Sequence, residues 1–179
     1  MTPLEREQRG ILALLKGRGL ASRDPYRERI SNSPRLEILR EIAVRWRMYQ
    51  VEAQCRYTSR LLKRQQRFEQ VVGQHFISNA TSPFLETFTL DFLRALGADA
   101  DVLVRELASS ELAILIAHEG KQEAVEIHWD RNPDLVFSAL EIHGPVPLPS
   151  AGEHFILRVG SEIRGLVECV RESATAAPQ

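Results

Sequence analysis

The spacing of the apolar residues changes at Gly120, and this change constrains the fold more than any other feature of the sequence. Before Gly120, apolar residues recur every three or four positions, which is typical of amphipathic helices. After it, Val125, Ile127 and Trp129 alternate with polar residues, as in a half-buried strand. The sequence therefore predicts an α+β fold, an N-terminal helical bundle followed by a small, mostly antiparallel β-sheet. We expect a helical domain, a small β domain and a flexible tail at residues 1–120, 121–172 and 173–179.

A long helix is predicted to begin at Ser33-Pro34, because serine caps helix N-termini and proline fits the first turn. It runs on to about Gln66, or the span is two helices broken near Cys55. Its apolar residues form two stripes on nearly opposite sides, Leu36, Leu39, Ala43, Trp46, Tyr49, Ala53, Tyr57 and Leu61, and Val44, Met48, Val51, Cys55 and Leu62. Such a helix is usually sandwiched. It is either central to the helical body or in contact with another chain on one side.

Start and stop residues predict four further helices. They begin at Thr2-Pro3, at Arg67, after Thr81-Ser82-Pro83, and at Asp99 or Asp101. Residues 21–33 read as a connector.

The β part is organised around the segment His143–Gly165, which holds a proline-rich loop, a strand and a tight turn at Gly160-Ser161. We predict another strand at Leu135–Ile142 and a last one ending near Val170. A small sheet of this kind can leave one edge free to accept an extended peptide. Alternatively, the helical domain covers that edge. The sequence leaves both arrangements open.

Composition and charge exclude several classes of protein. The net charge is −1, so the chain as a whole is not a basic nucleic-acid binder. Residues 34–67 nevertheless carry nine basic residues against three acidic ones, whereas acidic residues outnumber basic ones between Glu119 and Glu172. The two cysteines are too few for a disulfide framework. No signal peptide and no apolar run of roughly 20 residues is present, which predicts a cytoplasmic protein without a membrane partner.

No motif for catalysis is evident. The five histidines are scattered, and the nucleophile and phosphate-binding signatures are missing. The best local group for a standalone enzyme is Glu126, His128 and His143, which is too small a set for a metal site. The basic helix could instead contact DNA phosphates, although no DNA-binding signature accompanies it. The sequence therefore favours a binding protein without catalytic residues of its own.

Two blocks carry a resemblance to known proteins. The helical block RYTSRLLKRQQRFEQVVGQHF…SPFLETFTLDFLRAL, followed by the core Leu107, Ala108, Glu111 and Ala113, is similar to the BufC-like family, whose members have been described as DNA-binding. The β block HGPVPLPSAGEHFILRVG resembles the C-terminal part of the small subunits of MbnC and TglI type, and the TglI type is preferred. Together the blocks cover most of the chain beyond Gln54.

The resemblance implies a non-catalytic subunit that forms a heterodimer with a TIM-barrel enzyme containing a multinuclear iron centre. That enzyme oxidatively modifies cysteine in a ribosomally made precursor peptide, and the small subunit helps to recruit the leader of the peptide. Iron is then expected in the partner, with no cofactor in this chain. The alternative is a DNA-binding transcriptional regulator.

Candidate site residues follow for both surfaces of such a subunit. The candidates for binding the peptide are Leu135, Phe137, Leu140, Ile142, Phe155 and Leu157. The candidates for the interface with the enzyme are Arg45, Trp46, Arg56, Arg60 and Arg64.

Overall fold

The α+β prediction is confirmed. The computed structural model describes residues 2–17, 25–78, 87–120, 123–149 and 152–172. Within them lie eight helices and a three-stranded sheet. The helices are α1 (Pro3–Leu15), α2 (Pro25–Ser31), α3 (Arg35–Gln54), α4 (Arg56–Arg64), α5 (Phe68–Ser78), α6 (Phe88–Leu96), α7 (Val102–His118) and α8 (Pro133–Glu141), and the strands are β1 (Val125–Trp129), β2 (His154–Val159) and β3 (Val167–Glu172).

Several helix boundaries follow the predicted signals. Thr2 caps α1 in a capping box with Glu5, and Asp101 caps α7 through the N–H of Leu103. The connector predicted at residues 21–33 is wrong in part, because α2 forms within it. The cap predicted at Thr81-Ser82-Pro83 and the tail at 173–179 lie outside the described residues.

The chain forms two compact units, and their division does not fall at Gly120. One unit comprises Met1–Gln54 and Gln65–Phe92, and the other comprises Cys55–Arg64 and Leu93–Gln179. The second unit therefore combines α4, α7 and α8 with the whole sheet. The partner-docking and peptide-recognition roles expected for 1–120 and 121–172 stay predictions.

The sheet has the order β1-β2-β3, and both pairs are antiparallel. One face is apolar, and its β2 residues Phe155, Leu157 and Val159 are buried. On β1, Trp129 is buried on the same face. The other face carries mostly exposed polar and charged residues. The strand alternation predicted from the sequence is confirmed for β1 and β2.

The strand predicted at Leu135–Ile142 is wrong, because these residues belong to α8 and the turn that follows it. The Asn132 side chain accepts the N–H groups of Asp134 and Leu135, and Pro133 occupies the first turn. An asparagine cap followed by proline is a helix start signal. A short apolar run does not by itself distinguish a buried strand from a buried helix. Here the Asn132 cap and Pro133 favour the helix.

The turn predicted at Gly160-Ser161 is present, because the Ile163 N–H donates to the Gly160 carbonyl at 3.2 Å. A second turn follows, in which the Leu166 N–H donates to the Ile163 carbonyl at 2.8 Å, so the connection is longer than one tight turn. Residues 160–166 connect β2 to β3, and the Gly160 N–H donates to the Leu166 carbonyl at 3.1 Å. Gly165 has a φ of +83° and Leu166 one of +68°. The left-handed backbone at these two positions returns the chain to the sheet.

The long apolar span is divided into α3 and α4, which confirms the second of the two alternatives considered above. Cys55 separates the helices and is fully buried as a free thiol. The first-turn N–H groups of Tyr57 and Thr58 donate to the buried carboxylate of Glu111, on α7. A new helix can begin inside the fold because this carboxylate satisfies donors that have no partner within α4.

Candidate functional site

Strand β3 is an edge of the sheet, and the pairing register shows which of its main-chain groups face outward. Opposite residues in an antiparallel pair alternate between those that exchange hydrogen bonds and those that do not. The bond from Gly160 to Leu166 fixes this alternation. The bonded pairs are Arg158–Glu168, Ile156–Val170 and His154–Glu172. The N–H and C=O groups of Val167, Cys169 and Arg171 therefore point away from β2.

No main-chain bond from the described part of the chain occupies these outward groups of β3. An edge of this kind can pair with an added strand. The opposite edge, on β1, is shorter, because the same alternation leaves only Glu126 and His128 with outward groups. Within its own unit, and among the residues that the structure describes, the β3 edge is therefore open.

A cleft of about 330 Å³ lies beside the open edge. Cys169 and Arg171 contribute to it from β3, Phe155 from β2, and Leu135 from the start of α8. Leu148, from the proline-rich loop, is 82% exposed, and Leu135 is 57% exposed. A strand added to β3 would place alternate side chains on the face where this cleft opens.

Ion pairs and one thiol set the electrostatics of the cleft. Arg171 pairs with Glu153, and Arg131 pairs with Asp130 at 2.6 Å while also donating to the Pro147 carbonyl. Burial raises the pKa of Cys169, and the adjacent Asp134 carboxylate raises it further. The thiol is therefore neutral near pH 7 and is not an activated nucleophile.

The six candidates for peptide binding separate into three groups. Leu135 and Phe155 line the cleft. Leu140 and Leu157 are fully buried in the core of their unit, and the half-buried Phe137 contacts the rings of Tyr57 and Trp129. Ile142, just after α8, is exposed and does not line this cleft.

The arginines predicted for the partner interface lie in two settings. Those of α4 are engaged with the C-terminal part of α8 and the turn after it. Arg56 and Arg60 both pair with Glu141, at 2.6 and 2.7 Å, and Arg64 donates to the Ala139 and Gly144 carbonyls. Cations near helix C-termini are stabilising because the last carbonyls lack helical partners. These guanidiniums connect α4 to α8 and the turn after it, and they are already engaged with carboxylate and carbonyl oxygens.

Arg45 and Trp46 lie on α3, in the other unit. Arg45 pairs with Glu41 on the surface, and Trp46 stacks on Tyr49. Around Trp46 lies an apolar surface that we call the α3 face. It consists of Ile38, Leu39, Ile42, Trp46 and Tyr49, each 51–63% exposed.

The α3 face is compact. At about 100° per residue, its five positions fall within an arc of about 100°. The buried residues of α3, among them Arg47 and Val51, lie on the other side of the helix. Half of one such side chain exposes roughly 100 Å², so the face exposes roughly 500 Å², near the upper end for a monomer surface. The helix therefore has an exposed apolar side as well as a buried one.

The group considered for a standalone enzyme is not supported by its placement. Glu126 is paired with Arg158 at 2.8 Å, His128 is exposed on the polar face of β1, and His143 lies in the turn after α8. Across the described ranges, no three potential metal ligands come together. None of the helices in these ranges combines the length with the apolar composition that a membrane span requires.

Sequence reasoning missed the residues that define the β3 edge. Cys169 and Arg171, with outward main-chain groups, and Glu168 and Glu172, on the opposite face, were not among the candidates. The alternation in VECVRE was the available signal. The alternation alone does not show which residues of β3 direct their main-chain groups outward, or which strand β3 pairs with. Both depend on the connection at residues 160–166.

Searches against protein-family models, curated proteins and solved structures gave no match to this chain.

Proposed function

We propose that this chain is a non-catalytic accessory subunit that recruits a ribosomally made precursor peptide for an iron-dependent partner enzyme. The peptide is held as an added strand on β3, and the partner modifies its cysteine oxidatively. The partner supplies the iron. The open β3 edge beside a cleft is the observation that carries the proposal.

The geometry of the edge supports peptide binding. Val167, Cys169 and Arg171 offer three N–H and three C=O groups that an extended chain can pair with. Main-chain bonds of this kind give affinity without requiring a particular sequence, and the adjacent cleft can select alternate side chains. Leu135 and Leu148 provide exposed apolar surface there.

The α3 face supports the presence of a protein partner. A standard interface buries roughly 800 Å² on each side, so this face would supply more than half of one. Its two aromatic residues are of the type that dominates interface energetics. Assignment of the partner as an iron enzyme rests on the resemblance of the two sequence blocks described above.

Co-expression tests the assignment directly. The chain is expressed with the iron enzyme and the short cysteine-containing peptide encoded nearest to its gene. We expect the chain and the enzyme to co-purify, and the peptide to lose or change its cysteine only when both proteins are present. Full modification by the enzyme alone, or failure of the chain to bind both components, would reject the proposal.

A proline substitution tests the role of the edge within that complex. Cys169→Pro removes an outward N–H but no bond between β2 and β3, and proline is tolerated on edge strands. Cys169→Ser is the matched control, since it keeps the N–H and a donor for Asp134. Peptide recruitment should be lost only in the proline variant, while both variants unfold at similar temperatures and bind the enzyme. Deletion of the β2–β3 hairpin is unsuitable, because β2 carries core residues.

A further inference from the structure

The polar face of the sheet carries a row of alternating charge that ends at the open edge. Glu126 on β1 lies opposite Arg158 on β2, and the two side chains form an ion pair at 2.8 Å. Arg158 lies opposite Glu168 on β3 in the register. The row therefore reads negative, positive, negative from β1 to β3, and the next position across the sheet belongs to an added strand.

A second acidic residue lies four positions further along the same face. Glu172 is opposite His154, and Val170, between the two acids, is opposite Ile156. Glu168 and Glu172 are exposed, and neither forms an ion pair with the described residues. On this face, β3 thus presents an acidic, an apolar and an acidic side chain at alternate positions, from Glu168, Val170 and Glu172.

We propose that the strand accepted by β3 carries basic residues at two positions four apart, with an apolar residue midway between them. This inference rests on the proposed function, because it concerns the peptide that pairs with β3. With an antiparallel added strand, Glu168, Val170 and Glu172 would be in non-hydrogen-bonded pairs, where side chains on opposite strands approach most closely. The three-position pattern is symmetric, so it applies to a parallel or an antiparallel peptide.

The same residues argue against a second copy of the chain as the occupant. Two β3 strands paired edge to edge in the register centred on Val170 would bring Glu168 of each copy against Glu172 of the other. Like charges directly opposite are destabilising in a sheet, and charged edges prevent such self-association. A basic peptide instead continues the alternation that Glu126 and Arg158 begin.

Two synthetic peptides test the inference, each acetylated and amidated so that the termini carry no charge. One contains KLVLK and the other ELVLE between neutral flanks. Binding to the full chain is followed by NMR titration, reading the amides of Val167, Cys169 and Arg171. We expect tighter binding of the basic peptide by roughly two- to fivefold per charged position, with the preference shrinking at high salt.

Charge reversal completes the test. In the double variant Glu168→Lys, Glu172→Lys the preference should invert, and in Glu168→Gln, Glu172→Gln it should largely disappear. Glu168 and Glu172 are both exposed, so the fold should be retained in both double variants. If both peptides protect the three amides equally, and the preference is unchanged by the substitutions, the basic-peptide inference fails while strand addition stands. If neither peptide affects these amides, the proposed strand addition fails as well.

Discussion

The Glu111 carboxylate, on α7, accepts the main-chain N–H of Thr58 at 2.9 Å and thereby fixes the start of α4. Its other oxygen accepts the N–H of Tyr57 at 2.7 Å. Replacing Glu111 by alanine leaves two buried donors without partners. We expect Glu111→Ala to lower the free energy of unfolding by about 3 kcal/mol.

Glu111→Gln is the matched control for that prediction. Its carbonyl oxygen keeps one of the two bonds, and burial already raises the pKa of Glu111, so loss of the charge is tolerated in part. Chemical denaturation should place the glutamine variant between wild type and alanine. Equal stability of wild type and the alanine variant would contradict the role assigned to this carboxylate.

Glu106 should make stability depend on pH. Burial, and then repulsion from Asp130, raises the pKa of Glu106 to about 7, although its carboxylate accepts the Asp130 N–H at 3.0 Å. The folded chain then holds this proton more tightly than the unfolded chain, in which the pKa is about 4.5. The resulting stabilisation is complete below that value and is lost as the pH rises through about 7. Its size is roughly 3 kcal/mol.

Glu106→Gln should remove this component, because a neutral amide cannot ionise. The measurement is the free energy of unfolding of wild type and variant between pH 4.5 and 8. The difference between them should grow in favour of the variant as the pH rises. Glu69→Gln, at an exposed position of α5, is the control, and its free energy of unfolding should change with pH in the same way as that of wild type. Parallel curves for Glu106→Gln would contradict the prediction.

Arg60 and Arg45 should differ in their effect on stability. Arg60 is partly buried and donates to both the Leu140 carbonyl and the Glu141 carboxylate, whereas Arg45 pairs with Glu41 at the surface. We expect Arg60→Ala to cost about 1 to 2 kcal/mol and Arg45→Ala less than about 0.5 kcal/mol. Thermal and chemical unfolding measure both. A similar loss in the free energy of unfolding for the two variants would contradict a stabilising role for the contacts between Arg60 and α8.

Trp46→Glu tests the α3 face. A charge on this face should abolish binding to the co-expressed enzyme, while stability changes little because the side chain is about half exposed. Gln70→Glu, at an exposed position of α5, adds the same charge on a different helix and should bind normally. Co-purification and analytical ultracentrifugation measure the outcome. Undiminished binding by Trp46→Glu would exclude this face as the docking surface.

Elements whose structure depends on local sequence patterns were mostly predicted correctly. Elements whose structure depends on residues distant in the sequence were not. Alternation identified β1 and β2, and cap residues placed the start of α1 and of α7. The nature of residues 135–142 was misjudged, although Asn132 and Pro133 were present as a local helix signal. The division at Cys55 depends on Glu111, more than 50 positions away in sequence, and no local pattern encodes it.

The sequence predicted the type of candidate site, a free sheet edge, but only some of the residues that form it. A free edge was one of two arrangements considered, and Leu135 and Phe155 do line the cleft. The phase of β3, which directs Cys169 and Arg171 outward, follows from tertiary pairing across residues 160–166. The α4 arginines were predicted as a free basic surface, but they contact the Glu141 carboxylate and main-chain carbonyls. These partners lie about 80 positions further along the chain, so the sequence around α4 does not reveal them.

Residue-resolved amide hydrogen exchange tests the central claim most directly. In the free chain, the amides of Val167, Cys169 and Arg171 should exchange fast, while those of Glu168 and Val170 are protected by β2. Addition of the basic peptide should slow exchange at the first three and leave the other two unchanged. Equal protection of all five in the free chain, or no change at the outward three when the peptide is bound, would contradict strand addition at β3.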